Sequence, residues 1–167
     1  MFNVNDYVVY RKNVCKIKEI KKNSDENMYY TLIPVTDESL KIEVPISSNS
    51  NVLRGLINTT EINSLIEEIP NINPILDDDK MIENEYKELL KSGTHKDLIK
   101  IIKTTYLRNK ERQDNKKKIS DKDKKYFEQA ENYLYTELSI VLGMNFDETK
   151  KYIEDKVGSI VKWNKNI

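Results

Sequence analysis

The chain has 167 residues, 38% apolar and 34% charged, with 28 basic and 28 acidic side chains and one cysteine. That length suits one compact domain or two small ones, and the apolar residues fall in periodic blocks, unlike those of a disordered chain. Cys15 alone cannot form an intramolecular disulfide, the opening MFNVNDYVVY lacks the order of a signal peptide, and no apolar run nears the roughly 18 residues of a membrane span; a soluble cytoplasmic protein is expected.

Two periodicities divide the sequence. Residues 1–58 read as sheet. Asp6 to Tyr10 is a β-branched and aromatic run, and Val14 to Ile20 alternates with a period near two. Asn23 to Asn27 is turn chemistry, Met28 to Ile33 resumes a strand, and Leu40 to Val44 alternates up to Pro45. Val52 to Ile57 completes a set of short strands, expected to form a small barrel or rolled antiparallel sheet.

From residue 59 the period becomes helical. Thr60 is placed to cap a connecting helix over 59–69, and Pro70 and Pro74 punctuate the stretch after it. The aspartates 77–79 suit the positive start of a second helix, which Gly93 closes. Thr94 caps a third, with Leu98, Ile101, Ile102 and Tyr106 at helical spacing. Ser120 starts the longest helix, on which Phe127, Ala130, Leu134, Leu138, Val141 and Leu142 share a face; Gly143 ends it. Asn145 with Glu148 resembles a capping box for a last helix through Val157. The fold class expected is α+β: a small antiparallel β-module at 1–58, a connecting helix at 59–69, an all-α C-terminal domain of about four to five helices placed at 70–160, and a tail at 161–167.

Neutrality is an average over segregated blocks. Residues 64–95 hold three basic and eight acidic groups, whereas residues 96–127 hold twelve basic and five acidic, a net of +7. Lys96, Lys100, Lys103, Arg108 and Lys110 are spaced near three and four, as a stripe on one helix, and Lys87 and Lys91 lie four apart on the helix before it. Clustered cations of this kind displace counterions from phosphate, although on helices they more often form a solvated face.

The inventory for catalysis is thin. His95 is the only histidine and lies far from Cys15, so a zinc site of ordinary spacing is not available. The glycines at 55, 93, 143 and 158 make no phosphate-cradling loop. Cys15 in a strand reads as a buried, inert thiol and the aspartates as a helix start. No enzyme, cofactor, metal site, small-molecule substrate or membrane association is expected.

The segments FNVNDYVVY, VCKIKEI, YYTL, LKIEVP and VLRGLI, in that order, resemble the N-terminal module of the CarD/CdnL family of bacterial transcription regulators. YKELLKSG, DLIKIIKTTYLRNKER and AENYLYTELSIVLG are similar to that family's helical DNA-binding domain, and the resemblance spans about residues 1–157. It implies a Tudor-like β-module that docks on the β lobe of the RNA polymerase β subunit, with Lys22, Lys41, Glu43 and Arg54 as the matching contacts. It also implies a helical domain that lies on upstream promoter DNA without sequence specificity and stabilises the open complex, in a bacterial cytoplasm and at the nucleoid through polymerase. Lys87, Lys91, Lys96, Lys100, Lys103, Arg108 and Lys110 are the DNA-binding candidates. Where the family has glycine before its opening Asp this chain has Asn5, where it has proline after V-V-Y this chain has Arg11, and Glu43 reverses a family charge. The family's wedge tryptophan is also missing at the start of the helical domain, since the only tryptophan is Trp163. Ile75, Leu76, Met81 and Ile82 are the aliphatic candidates in its place. The alternative function is a protein–protein adaptor on polymerase whose helical domain does not bind DNA.

Overall fold

The computed structural model describes residues 1–48 and 52–165, with side chains at 1–47 and 52–160. The chain divides into two compact units, Met1–Leu56 and Ile57–Ile167.

The first unit is a five-stranded antiparallel sheet of β1 (Tyr7–Tyr10), β2 (Asn13–Lys22), β3 (Met28–Pro34), β4 (Ile42–Pro45) and β5 (Leu53–Gly55), in the order β4-β3-β2-β1-β5. Alternation places Val8, Cys15, Ile17, Tyr30, Leu32, Val44 and Leu53 in one core, all buried. A register shift between Ile17 and Glu19 in the β2–β3 pairing bends the longest strand. Tyr30 closes the open end of this core, because its hydroxyl accepts from the Phe2 N–H at 3.0 Å.

Two turn residues adopt left-handed backbone. Asn5 has φ 75°, a conformation that Asn tolerates better than most side chains, and its N–H donates to the Ile17 carbonyl at 2.8 Å. Arg11 has φ 58° in the two-residue turn between Tyr10 and Asn13, and its N–H donates to the Val52 carbonyl at 2.8 Å. A proline has neither that φ nor that donor, so the shortened turn forbids one.

The second unit holds α1 (Thr59–Glu68), α2 (Asp79–Ser92), α3 (His95–Asp114), α4 (Asp121–Leu142) and α5 (Phe146–Lys165). Its core is drawn from every helix, with Ile62, Ile82, Tyr86, Ile101, Leu134, Leu138 and Ile153 nearly or wholly excluded from water. α1, expected as a connector, contributes Ile62, Leu65 and Ile66 to this core. α5 runs past Val157 to Lys165, through most of the stretch expected as a tail; residues 166 and 167 and the side chain of Trp163 lie outside the described residues.

Local chemistry sets most helix ends. Asp78, Thr94 and Ser120 each accept from the backbone N–H three residues on, and Gly93 and Gly143 close α2 and α4 at φ 65° and 66°. Asn145 accepts from the Glu148 N–H at 2.8 Å. The cap of α1 is a correction: Asn58, not Thr60, is the N-cap, because Asn58 and Glu61 form a reciprocal capping box and leave Thr60 inside the first turn.

Arg11→Pro is expected to lower the stability of the sheet unit by more than about 1 kcal/mol, since it imposes an incompatible φ and removes the donor to Val52. Urea denaturation followed by circular dichroism measures this, and an unchanged midpoint would show that the turn accepts another conformation.

Candidate nucleic-acid interface

The sequence places a cationic stripe along α3. In the structure Leu98, Ile101 and Thr105 are buried, and Arg108 continues this inward stripe one turn on. Tyr106, expected on the apolar face with Leu98, is instead 54% exposed, because it stands about 100° around the helix from Thr105. The cations therefore separate by helical position.

Arg108 faces inward. Its Nε donates to Asp123 Oδ2 at 2.9 Å and its Nη2 to Asp79 Oδ1. Asp123 has no exposed surface, and its other oxygen accepts from the Tyr86 hydroxyl at 2.9 Å. One guanidinium thus joins α2, α3 and α4. Burial alone would lower the Arg108 pKa; the hydrogen bonds to Asp79 and Asp123 outweigh it and hold the value above its usual range. The same contact holds the Asp79 carboxyl below its usual range. The Tyr86 hydroxyl is pushed up by burial and by donating to Asp123.

Lys103 is engaged as well. Its ammonium donates to the carbonyls of Ile69 and Ile72, the latter at 2.8 Å, and so satisfies the backbone after α1. Burial lowers its pKa from the ordinary lysine value. Lys96 pairs with Glu68 at 2.7 Å, both well exposed. Among the described residues no carboxylate lies within ion-pair distance of Lys87, Lys91, Lys100 or Lys110. These four are the cations left for an outside partner. Arg108 and Lys103 depart from the expectation, because a buried carboxylate and two carbonyls hold them first.

The wedge candidates also separate. Ile82 is fully buried, and Ile75 is half-buried, with its N–H donating to the Thr104 hydroxyl at 2.9 Å. Neither presents a side chain that could enter a base step. Leu76 at 92% exposure and Met81 at 55% are accessible, but Asp77, Asp78 and Asp79 lie between them. Carboxylates at that point repel phosphate.

On the sheet unit, the four sequence-derived residues do not form one cluster. Glu43, on edge strand β4, pairs with Lys21 at 3.5 Å, and Lys21 also reaches Glu19 at 3.0 Å. Lys22, next along β2, points to the opposite side and pairs with Glu26 at 3.8 Å. Arg54 lies on β5, the other edge, where its guanidinium donates to the Gly55 carbonyl. Lys41 lines a groove of about 490 Å³ with Tyr7, Lys16, Lys18 and Glu38. Three further lysines stand beside these candidates: Lys21, which strand alternation from Glu19 marks, and Lys16 and Lys18, which alternation puts together in the groove with Lys41.

The groups with catalytic potential are structural. The Cys15 thiol is buried, and burial pushes it up to about 11. His95 Nε2 lies 2.9 Å from Glu137 Oε1, while Glu137 Oε2 accepts from the Ile57 N–H at 2.8 Å, so this carboxylate fastens the start of the unit to α3 and α4. Among the described residues no group of three or more His, Cys, Asp or Glu side chains is placed to hold a metal ion, and no helix is long and apolar enough to cross a membrane.

Arg108→Ala is expected to cost about 3 kcal/mol, the low end for a broken buried pair, because Asp123 stays buried without its cation while Arg108 itself is partly exposed. Lys110→Ala should stay within about 0.5 kcal/mol of the parent. Urea unfolding of the two variants side by side decides this, and equal midpoints would remove the structural role of Arg108.

Asp79 gives a pH dependence of known sign. A carboxylate whose folded pKa is depressed adds stability above its unfolded pKa, about 3.9, and loses it as pH falls through the folded value. The stability gap between the parent and Asp79→Asn should be constant near neutrality and shrink in acid below about pH 4. Denaturation midpoints of both proteins over that range measure it, and a gap that widened in acid would contradict the pairing.

Comparison with known proteins bears on the helical unit. No curated protein matched the chain. Residues 80–154, from the first turn of α2 into α5, match the family model described as CarD, C-terminal domain. With a five-stranded antiparallel sheet ahead of five helices, the chain carries a CarD C-terminal domain, and this supports its being a protein of the CarD/CdnL family.

Proposed function

We propose that this chain is a CarD-type transcription regulator that docks on the β lobe of the RNA polymerase β subunit through its β-module and holds upstream promoter DNA with its helical unit, stabilising the open complex. The observation that carries this reading is the CarD C-terminal domain match over residues 80–154. Glu43 and its partner Lys21 anchor the polymerase contact, and Lys22, Lys41 and Arg54, which lie elsewhere on the module, take part only where the polymerase surface wraps around it. Lys87, Lys91, Lys100 and Lys110 carry the phosphate contacts. Lys96, exposed and joined only to an exposed Glu68, adds to them, since a surface pair contributes little and exchanges readily. The protein acts in the bacterial cytoplasm, at the nucleoid through polymerase, with no cofactor and no bond change.

The mechanism is linkage. A protein that binds the open complex more tightly than the closed one shifts the equilibrium to the open form by the difference in binding energy. Contact through a few lysines is weak and nonspecific alone, with a Kd of about 10⁻⁴ to 10⁻⁶ M. Attachment to polymerase supplies the effective concentration that makes such contact count.

One observation favours the adaptor reading as a second possibility. Two cations of the stripe, Lys103 and Arg108, are engaged inside the unit, which lowers the charge offered to DNA.

Two measurements on the full chain test the proposal. The lifetime of open complexes formed by the cognate polymerase should lengthen when the chain is added, and an unchanged lifetime would sink the reading. Duplex binding against salt should give a log–log slope near about −3, as for three or four phosphate contacts. Polymerase binding without duplex binding at low salt would leave the adaptor.

A further inference from the structure

The helical positions that turn Arg108 inward turn its neighbours outward. Residues 108, 111, 112 and 115 share the side of α3 that meets Asp79. Residues 106, 109, 110 and 113 share the other side and face an open groove of about 480 Å³ between α3 and the start of α4. Lys124 and Phe127 line it from α4, and Ile119 from the connection between the helices. Tyr106 stands in its wall with half of its surface exposed, and Leu107 beside it is 47% exposed.

The charge around this aromatic wall has one prevailing sign. Within the groove Lys110 and Lys124 face a single carboxylate, Asp114. The adjoining connection adds Lys116 and Lys118, both exposed, of which Lys118 has a carboxylate near, Asp121 at 3.9 Å, while Lys117 lines the groove on the Asp79 side. Between the aliphatic wedge candidates Leu76 and Met81 lie Asp77, Asp78 and Asp79 with one cation, Lys80, and Asp79 is already paired with Arg108, which leaves Asp77 and Asp78 as the exposed carboxylates outside that pair. An anionic polymer that also carries flat apolar faces fits the Tyr106 groove and not the start of α2. Unpaired nucleic acid is such a polymer: its bases stack on aromatic rings while its phosphates meet lysines.

We propose that the Tyr106 groove is a stacking site for an unpaired nucleobase of single-stranded DNA, with Lys110 and Lys124 holding the flanking phosphates. This rests on the DNA-contact reading above and names the aromatic residue and the strand state that reading lacks. The ring is half exposed and outside the helical core, so its removal leaves the packing of α3 and α4 in place.

The test uses the full chain at low salt and three fluorescein-labelled probes: a twelve-nucleotide oligo-dT, the same oligomer with abasic residues, and a duplex. The parent should bind oligo-dT. Tyr106→Ala should weaken that binding by about 5- to 150-fold, the range for loss of stacking on one base. Tyr106→Phe should restore it, and duplex binding should stay within about twofold for both variants, since stacking is not used there. The abasic oligomer should bind parent and Tyr106→Ala alike. Parent-like oligo-dT binding by Tyr106→Ala, with duplex binding intact, overturns this proposal alone. An equal loss for the abasic oligomer also overturns it, because the tyrosine would then serve phosphate or fold. A parent that binds neither oligo-dT nor duplex overturns both this site and the DNA reading, and leaves the groove to an acidic peptide.

Discussion

The helical unit is organised around one carboxylate that water cannot reach. Asp123 has no exposed surface, so the protein must supply the hydrogen bonds that water would have made to its carboxylate oxygens. Arg108 supplies one from α3 and the Tyr86 hydroxyl another from α2. The network fixes the rotation of α3 about its own axis. Once Arg108 must face Asp123, the residue at 106 must face away, and so must 110. Which cations are inside and which reach solvent then follows from a single ion pair.

That rotation governs what charge the surface carries. A formal +7 over residues 96–127 is a property of composition, and the part presented to a partner is smaller. Arg108 is joined to two carboxylates, and Lys103 donates to the carbonyls of Ile69 and Ile72, just after α1. Lysine suits that place because its compact ammonium offers several donors on a long flexible stem. The charge that remains lies on α2 at Lys87 and Lys91, on α3 at Lys100 and Lys110, and around the start of α4. Under the proposed function, a field this weak requires that attachment to polymerase set the position on DNA.

Helix ends show how far local reading reaches. Asp78, Thr94, Ser120, Gly93, Gly143 and Asn145 could all be named before any packing was known, since a cap is a contact between a side chain and a backbone group three residues away. Thr60 and Asn58 are both capping types, and the reciprocal bond with Glu61 that makes Asn58 the cap exists only once the turn has formed. The end of α3 had no glycine to mark it. Lys116 takes the left-handed φ of 57° there, and the Lys117 N–H donates to the Arg112 carbonyl at 2.7 Å. The sheet was legible for the same local reason, as alternation read in order through five short segments.

The candidate site was legible in its residue types and much less so in their directions. Sequence spacing alone implied sheet then helices and a basic α3, and composition a chain without the usual catalytic constellations, because these are local properties; the missing tryptophan at the start of the helical domain was marked only by the family resemblance, which rests on short motifs in order. It could not say that Ile82 is core while Met81 is surface, that Lys103 and Arg108 turn inward, or that Tyr106 turns out. Those outcomes depend on which face of each helix meets its neighbours. The spacing of 98, 101, 102 and 106 is compatible with two rotations about 100° apart, and a carboxylate fifteen residues beyond Arg108, buried by the packing of three helices, selects one of them.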